Sequence, residues 1–220
     1  LITEDKADVI LGSTYTPACL AMADVALEAK IPMVCMSPTV VAADKAPWFF
    51  TIPQRLPVMI GGIVDHMKAA NVKSVGFIGF TDGWGDLTLG ALEQGVGPAG
   101  IKVVARERFA RNDTSVTAQV LKMLATNPDA VFAGDAGTPA VLPHITLTER
   151  GFKGRIYHSH GVVVPDFILV SSHWICSVNC ASLDCSFCRA NSSFPGISAM
   201  RCLRTGSPVF STSACSFCTT

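Results

Sequence analysis

The sequence has little charge, and neither sign is in excess. Charged residues make up 15% of the 220 residues, and 17 basic side chains balance 17 acidic ones, so the formal net charge is zero. No basic stripe is present that could neutralise phosphates, and nucleic acid is therefore not an expected partner. No apolar run is long enough to span a bilayer, so we expect no direct membrane insertion. No secretory signal opens the chain, which starts inside a patterned segment, so its true amino terminus is expected to be missing.

The motifs of nucleotide binding and of serine hydrolysis are also missing. Gly83 and Gly85 lack the third glycine of a dinucleotide-binding loop, and no GxxxxGK[ST] loop occurs. No G-x-S-x-G turn follows an apolar run, so a hydrolase would have no nucleophile. The sequence contains no convincing catalytic set, and we expect neither an enzyme nor a bound cofactor. Polar groups without a nucleophile and base suit binding better than turnover.

Cysteine is scarce over most of the chain and crowded at its end. Only Cys19 and Cys35 precede residue 171. Residues 171–220 are rich in Ser and Cys and show neither a helical nor a strand period. We interpret this segment as an out-of-frame or disordered tail.

Two alternatives remain for the cysteine-rich tail. Cys185-x-x-Cys188 and Cys215-x-x-Cys218 have the pair spacing of zinc ribbons, although the stretch between the pairs is longer than usual. Disulfides in an oxidising compartment are the other alternative.

Short apolar runs alternate with helical periods through the rest of the chain. Strands are predicted at residues 7–12, 33–36, 48–52, 75–80, 100–109, 130–133 and 156–158. Helices are predicted between them, with a repeat of roughly 25 residues, which is typical of an α/β fold with parallel sheet and helices on both faces. The run Val75 to Phe80 is apolar on both faces and predicts a central strand. Residues 100–109 alternate as an edge strand does.

Small polar or aromatic residues follow the predicted strands. Because parallel strands end at one edge of a sheet, where ligands bind, we expect these residues to line one cleft. They are Ser13 to Thr16, Ser37 to Thr39, Trp84, Asp135 and His160.

Several of these residues have more than one interpretation. Trp84 lies either at a ligand cleft or on a surface turn, packed on its own helix. Asp135 is expected to bind ligand or to cap the next helix, since no paired carboxylate lies near it for acid catalysis. His158 and His160, two residues apart, would lie on one face of a strand. They could be hydrogen-bonded histidines of the cleft or two ligands of a metal ion. No third ligand is indicated by the spacing, so we predict no metal. Thr16 is predicted to cap the first helix, and Asn112-Asp113-Thr114 offers a cap for the helix that follows it.

Six segments occur in a particular order, and this order points to a protein family more specifically than any single segment does. They are ADVILGSTYTPACLAMADVALEAKIPMV, CMSP, FFTIP, VKSVGFIGFTDGWGD, DAVFAGD and GFKGRIYHSHGVVVPDF, and they cover about residues 1 to 170. In this order the chain resembles the leucine/isoleucine/valine-binding family of periplasmic receptors, the type I solute-binding proteins of ABC importers. The resemblance implies two doubly wound parallel-sheet lobes around a ligand cleft, incomplete here. Residues 1–52 would form part of the first lobe and residues 53–170 the second, with the tail at 171–220.

The resemblance also implies roles for residues of the first lobe. Ser13 and Tyr15 match the turn whose serine and backbone amides hold the ligand carboxylate. Ser37, Thr39 and Val40 lie in the second such turn. Helix amino termini attract anions, so both assignments are physically reasonable.

In the second lobe, the resemblance places three residues at the ligand. Trp84 stands where the family often has a tyrosine whose ring packs on the ligand, and Asp135 falls near another cleft residue. His160 stands where amino-acid receptors carry an acid for the ammonium group. A neutral imidazole holds an ammonium poorly, so a carboxylate with an apolar or aromatic body competes with an aliphatic amino acid.

The function implied by the resemblance is that of a periplasmic receptor. It would bind a branched-chain amino acid or a related small carboxylate and deliver it to the membrane permease of an ABC importer. An intracellular ligand sensor of the same fold is one alternative. A doubly wound enzyme with a catalytic pair among Asp135, His158 and His160 is another. Since the first lobe would lack strands and expose sheet edges, we expect low stability and weak ligand binding.

Overall fold

Two parallel sheets form the framework of residues 2–169, the part of the chain that the computed structural model describes. The first sheet has the order β1-β2-β3, with β1 at Ile10–Leu11, β2 at Met33–Cys35 and β3 at Phe49–Thr51. The second has the order β5-β4-β6-β7, with β4 at Ser74–Phe80, β5 at Lys102–Phe109, β6 at Ala130–Gly134 and β7 at Arg155–His158. All strand pairs in both sheets are parallel. The predictions for the tail, including its zinc-type cysteine pairs, lie outside the described residues.

Helices connect the strands in regular alternation. They are α1 at Thr16–Ala29, α2 at Leu56–Ala69, α3 at Gly83–Val96, α4 at Thr117–Leu124 and α5 at Val141–Glu149. Short 3₁₀ turns cover Ala46–Trp48, Thr138–Ala140 and His160–Val162. The predicted α/β class with parallel strands is confirmed.

The second sheet is built around β4. Its residues Val75, Phe77, Ile78 and Phe80 are fully buried because the strand has β5 on one side, β6 on the other and helices packed against it. The predicted central position of β4 and edge position of β5 are both confirmed. Burying a side chain of this size contributes roughly 1.5–3 kcal/mol, so this strand is a main source of stability.

The first sheet is smaller and carries a disulfide. Cys19 in α1 and Cys35 in β2 form a disulfide, with their Cα atoms 6.2 Å apart. The bond links α1 covalently to β2, the middle strand of the first sheet. The sheet and the residue after it leave apolar side chains in solvent, since Leu11 is 67% exposed, Phe50 in β3 is 52% exposed and Ile52, just beyond β3, is 67% exposed. The chain leaves this sheet after β3 and enters the second core at α2. The division into lobes at residue 52 stays a prediction.

Two predicted helix caps are wrong. Tyr15 precedes α1 without a side-chain capping bond, whereas Thr16 lies inside the helix with its hydroxyl buried against Ser37. The cap predicted within residues 112–114 is also absent, since α4 follows Val116 and Asp113 accepts from the amide of Ala110 instead. In each case a polar side chain has found a partner other than the free amides of the helix.

Candidate ligand-binding site

The turn after β1 meets the turn after β2. The hydroxyl of Ser13 accepts a hydrogen bond from the Tyr15 amide at 3.0 Å, and its carbonyl accepts from the Met36 amide at 3.1 Å. No side chain caps the first turn of α1. Because the first amides of a helix have no intrahelical acceptor, this end of α1 can accept an anion.

The side chains of the second turn are mostly engaged with the protein itself. The Ser37 hydroxyl lies 2.5 Å from the Thr16 hydroxyl in a buried pair that holds α1 to the end of β2. Thr39 is buried, with its hydroxyl 3.6 Å from Cys35 Sγ, whereas Val40 is exposed. The structure thus places Ser37 and Thr39 as supports of the turn, and their predicted ligand contacts stay predictions.

Trp84 is not a surface aromatic, because only 4% of it is exposed. It follows Asp82, whose carboxylate caps α3 by accepting from the Trp84 and Gly85 amides at 3.0 and 3.3 Å. The indole N–H donates to the Asp135 carbonyl at 3.2 Å, and the ring meets the His160 ring edge-on at 6.1 Å. The indole is therefore held in one orientation at the carboxyl ends of β4 and β6.

The carboxyl group of Asp135 points inward. Both of its oxygens are buried without a hydrogen bond to the described protein atoms, and the nearer one lies 3.5 Å from His158 Nδ1. Burial raises the pKa of Asp135, which favours the neutral acid. Its carbonyl accepts from Trp84 and from the Ser159 hydroxyl. The predicted capping role is wrong, because the following 3₁₀ turn has Gly137 before it and no side-chain cap.

A partly buried histidine pair lies behind Asp135. His158 Nε2 is 3.0 Å from His144 Nδ1, and the Phe167 ring packs on both imidazoles. Burial, and then the charge of His158, lowers the pKa of His144 to about 4, so His144 is neutral at pH 7. His144 is a residue that sequence reasoning missed, since it lies inside α5 and follows no strand.

His160 does not share a strand face with His158. The strand β7 ends at His158 and His160 opens a 3₁₀ turn, so the predicted pairing of the two is wrong. His160 Nδ1 instead lies 3.0 Å from Met59 Sδ and 3.4 Å from Gln54 Nε2. Partial burial lowers the pKa of His160, which keeps the ring neutral near pH 7. Residues 2–169 contain no group of three metal-binding side chains.

Arg111 joins the turns of the two sheets, and sequence reasoning missed it. Its guanidinium carbon lies 4.8 Å from the ring centroid of Tyr15 and 3.9 Å from that of Phe80. Its Nε donates to Asp82 Oδ2 at 2.6 Å. Arg111 comes two residues after β5, so the strand-end rule that pointed to the other residues could have found it.

The two sheets also approach through their helices. A Cβ atom on Gly83, at the start of α3, would lie 3.2 Å from Leu20 Cδ1 in α1. The amino-terminal part of α3 therefore packs close to α1, beside the Tyr15–Arg111 contact.

Comparison with known proteins identifies the family. A family profile described as periplasmic binding protein matches residues 1–161. The chain belongs to this family. No curated protein matches this periplasmic binding protein.

Solved structures agree with this assignment. An extracellular ligand-binding receptor from Rhodopseudomonas palustris is 47% identical, with a TM-score of 0.75 over 77% of this chain and 47% of its own. A leucine binding protein from Thermotoga maritima is 22% identical, with a TM-score of 0.67 over 77% of this chain and 49% of its own. An R. palustris solute binding protein of an ABC transporter, in complex with 4-hydroxybenzoate, is 21% identical. Its TM-score is 0.67 over 76% of this chain and 48% of its own.

This periplasmic binding protein thus has the type I fold of these receptors. It spans about half the length of the structures that it matches. None of the helices within residues 2–169 is long and apolar enough to cross a membrane.

Proposed function

We propose that this chain belongs to the receptor of an ABC importer and binds a small organic carboxylate with an apolar or aromatic body. The observation that carries the proposal is the amino terminus of α1, which no side chain caps. Tyr15, the residue just before this helix, lies against the guanidinium of Arg111. The positive end of a helix dipole and a guanidinium both favour a negative charge at this place.

The other residues of the site suit an apolar or aromatic ligand body. Tyr15 is partly exposed beside Arg111, and His160 is exposed beside the edge of Trp84. Two ionisable groups on the second-sheet side, His160 and Asp135, do not suit an ammonium group. His160 is neutral near pH 7, and the carboxyl group of Asp135 is buried, so neither offers an exposed negative charge.

The structural neighbours support either of two ligand classes. One is described as a leucine binding protein, and another holds 4-hydroxybenzoate. Both ligands have a carboxylate and an apolar body, which are the features that the first-sheet turn and the aromatic side chains would recognise. Because neither His160 nor Asp135 presents a negative charge to an ammonium group, we favour the aromatic acid for this chain.

The disulfide supports a location outside the cytoplasm. Disulfides persist in oxidising compartments such as the bacterial periplasm and are rare where thiols are kept reduced. The Cys19–Cys35 bond therefore favours a periplasmic receptor over an intracellular sensor of the same fold. Delivery of the ligand to a membrane permease is part of this proposal.

The geometry gives little support to an enzyme. Asp135 and His158 lie close together, but the carboxyl group is fully buried and so cannot meet a substrate proton directly. His160 lies apart from this pair, on Met59 and Gln54.

Calorimetric titration with 4-hydroxybenzoate and with leucine, at concentrations into the millimolar range, tests the proposed ligand class. We expect measurable binding of 4-hydroxybenzoate and a Kd for leucine that is at least about tenfold higher, because neither His160 nor Asp135 offers the leucine ammonium a negative charge. Tight binding of leucine without binding of aromatic acids would contradict the proposal.

A further inference from the structure

The guanidinium of Arg111 keeps most of its hydrogen-bonding capacity unused. Within the described residues it makes one hydrogen bond, from Nε to Asp82 Oδ2, and the side chain is 29% exposed. Of the neighbouring arginines of β5, Arg108 differs in this respect, whereas Arg106, like Arg111, makes one hydrogen bond within the described residues. Arg108 donates to the Phe80 carbonyl and to Asp86, and Arg106 forms a half-exposed ion pair with Glu93.

The surroundings of Arg111 fix its position before any ligand binds. Asp82 holds Nε, and the rings of Tyr15 and Phe80 lie against the guanidinium. Asp82 is itself immobilised, because its other oxygen caps α3. A planar guanidinium held in this way loses little entropy when its remaining N–H groups meet a carboxylate.

We propose that Arg111 is the specificity-determining residue that makes the site select a carboxylate over a neutral ligand, by donating from its terminal nitrogens to the ligand carboxylate. The inference rests on the proposed function. It adds a second-sheet residue to the serine and amides that the first-sheet turn provides. Because Arg111 also lies on Tyr15, the bound carboxylate would link the turns of the two sheets.

The alternative is that Arg111 only stabilises the fold, through Asp82 and the two rings. The two roles differ in one measurable respect. A purely structural residue would change the affinity for a carboxylate and for its amide equally, whereas a residue that bonds the carboxylate would change their ratio.

The test compares two ligand pairs, 4-hydroxybenzoate with 4-hydroxybenzamide and leucine with leucinamide. Kd values are measured by calorimetry for the full chain and for Arg111→Gln, Arg111→Lys and the control Arg106→Gln. Asp82 can still cap α3 in Arg111→Gln, since the capping bonds use its other oxygen. Thermal unfolding of every variant verifies that it is folded.

We expect wild type and Arg106→Gln to prefer the acid of the pair that binds, and Arg111→Gln to reduce that preference at least about tenfold. Arg111→Lys, which keeps the charge without the fork geometry, should lie between them. Equal losses for acid and amide in Arg111→Gln, or an unchanged preference, would overturn the inference and leave the proposed function standing. A wild-type chain that binds none of the four probes would overturn the proposed function, and the inference with it.

Discussion

Replacing Gly85 by alanine should lower the free energy of unfolding by about 3 kcal/mol. A Cβ atom at this position would lie 1.9 Å from the Phe80 carbonyl oxygen and 2.6 Å from an Arg108 nitrogen. The first of these atoms is backbone at the end of the central strand β4, so it cannot move aside as a flexible side chain would. The close approach lets α3 begin directly over the strand end and brings Trp84 to its place beside Asp135.

Gly90→Ala in the same helix is the matched control. A Cβ atom on Gly90 meets nothing within 4 Å, so the substitution should stabilise the protein by up to about 1 kcal/mol through helix propensity alone. Denaturant unfolding followed by circular dichroism measures both variants. A Gly85→Ala variant as stable as wild type would show that α3 does not pack this closely on the end of β4.

Removing the Cys19–Cys35 disulfide should destabilise the first sheet by about 3 kcal/mol, the value expected for a loop of this length. The bond spans a sequence separation of 16 and joins α1 to β2, in a sheet whose core is small. The double variant Cys19→Ala/Cys35→Ala is preferred to reduction, because reductant would also act on the seven cysteines after residue 171.

Limited proteolysis read by mass spectrometry shows where the disulfide acts. Cleavage should become faster within residues 10–51 of the double variant, while β4 and its neighbours stay protected by their own core. Equal cleavage of the first sheet in wild type and variant would show that the disulfide is absent or adds no stability. It would also remove the argument for an oxidising compartment.

Strands with long apolar runs could be predicted to within one residue. The sequence predicts β4 at residues 75–80 and β6 at residues 130–133, and the structure has them at Ser74–Phe80 and Ala130–Gly134. Both strands are buried on both faces, so local sequence and tertiary environment favour the same structure. The bounds of β1 are harder to predict from the sequence, because the apolar run at residues 7–12 pairs with β2 only at Ile10–Leu11.

The features that the sequence did not reveal depend on partners far along the chain. Thr16 has the chemistry of a cap but bonds Ser37, 21 residues away. The contact of Arg111 with Tyr15 and the bond between Cys19 and Cys35 likewise depend on how separate turns and elements meet. For His158 and His160, the spacing of two suggested one strand face, but the chain leaves the strand between them.

We propose that a small carboxylate binds between the turn after β1 and the turns after β4 and β5. Hydrogen–deuterium exchange with and without saturating 4-hydroxybenzoate tests it most directly, since it reports on each turn separately. We expect slower exchange on binding both in residues 13–18 and in residues 82–86 and 110–113. Protection confined to one sheet, or protection at neither, would contradict it.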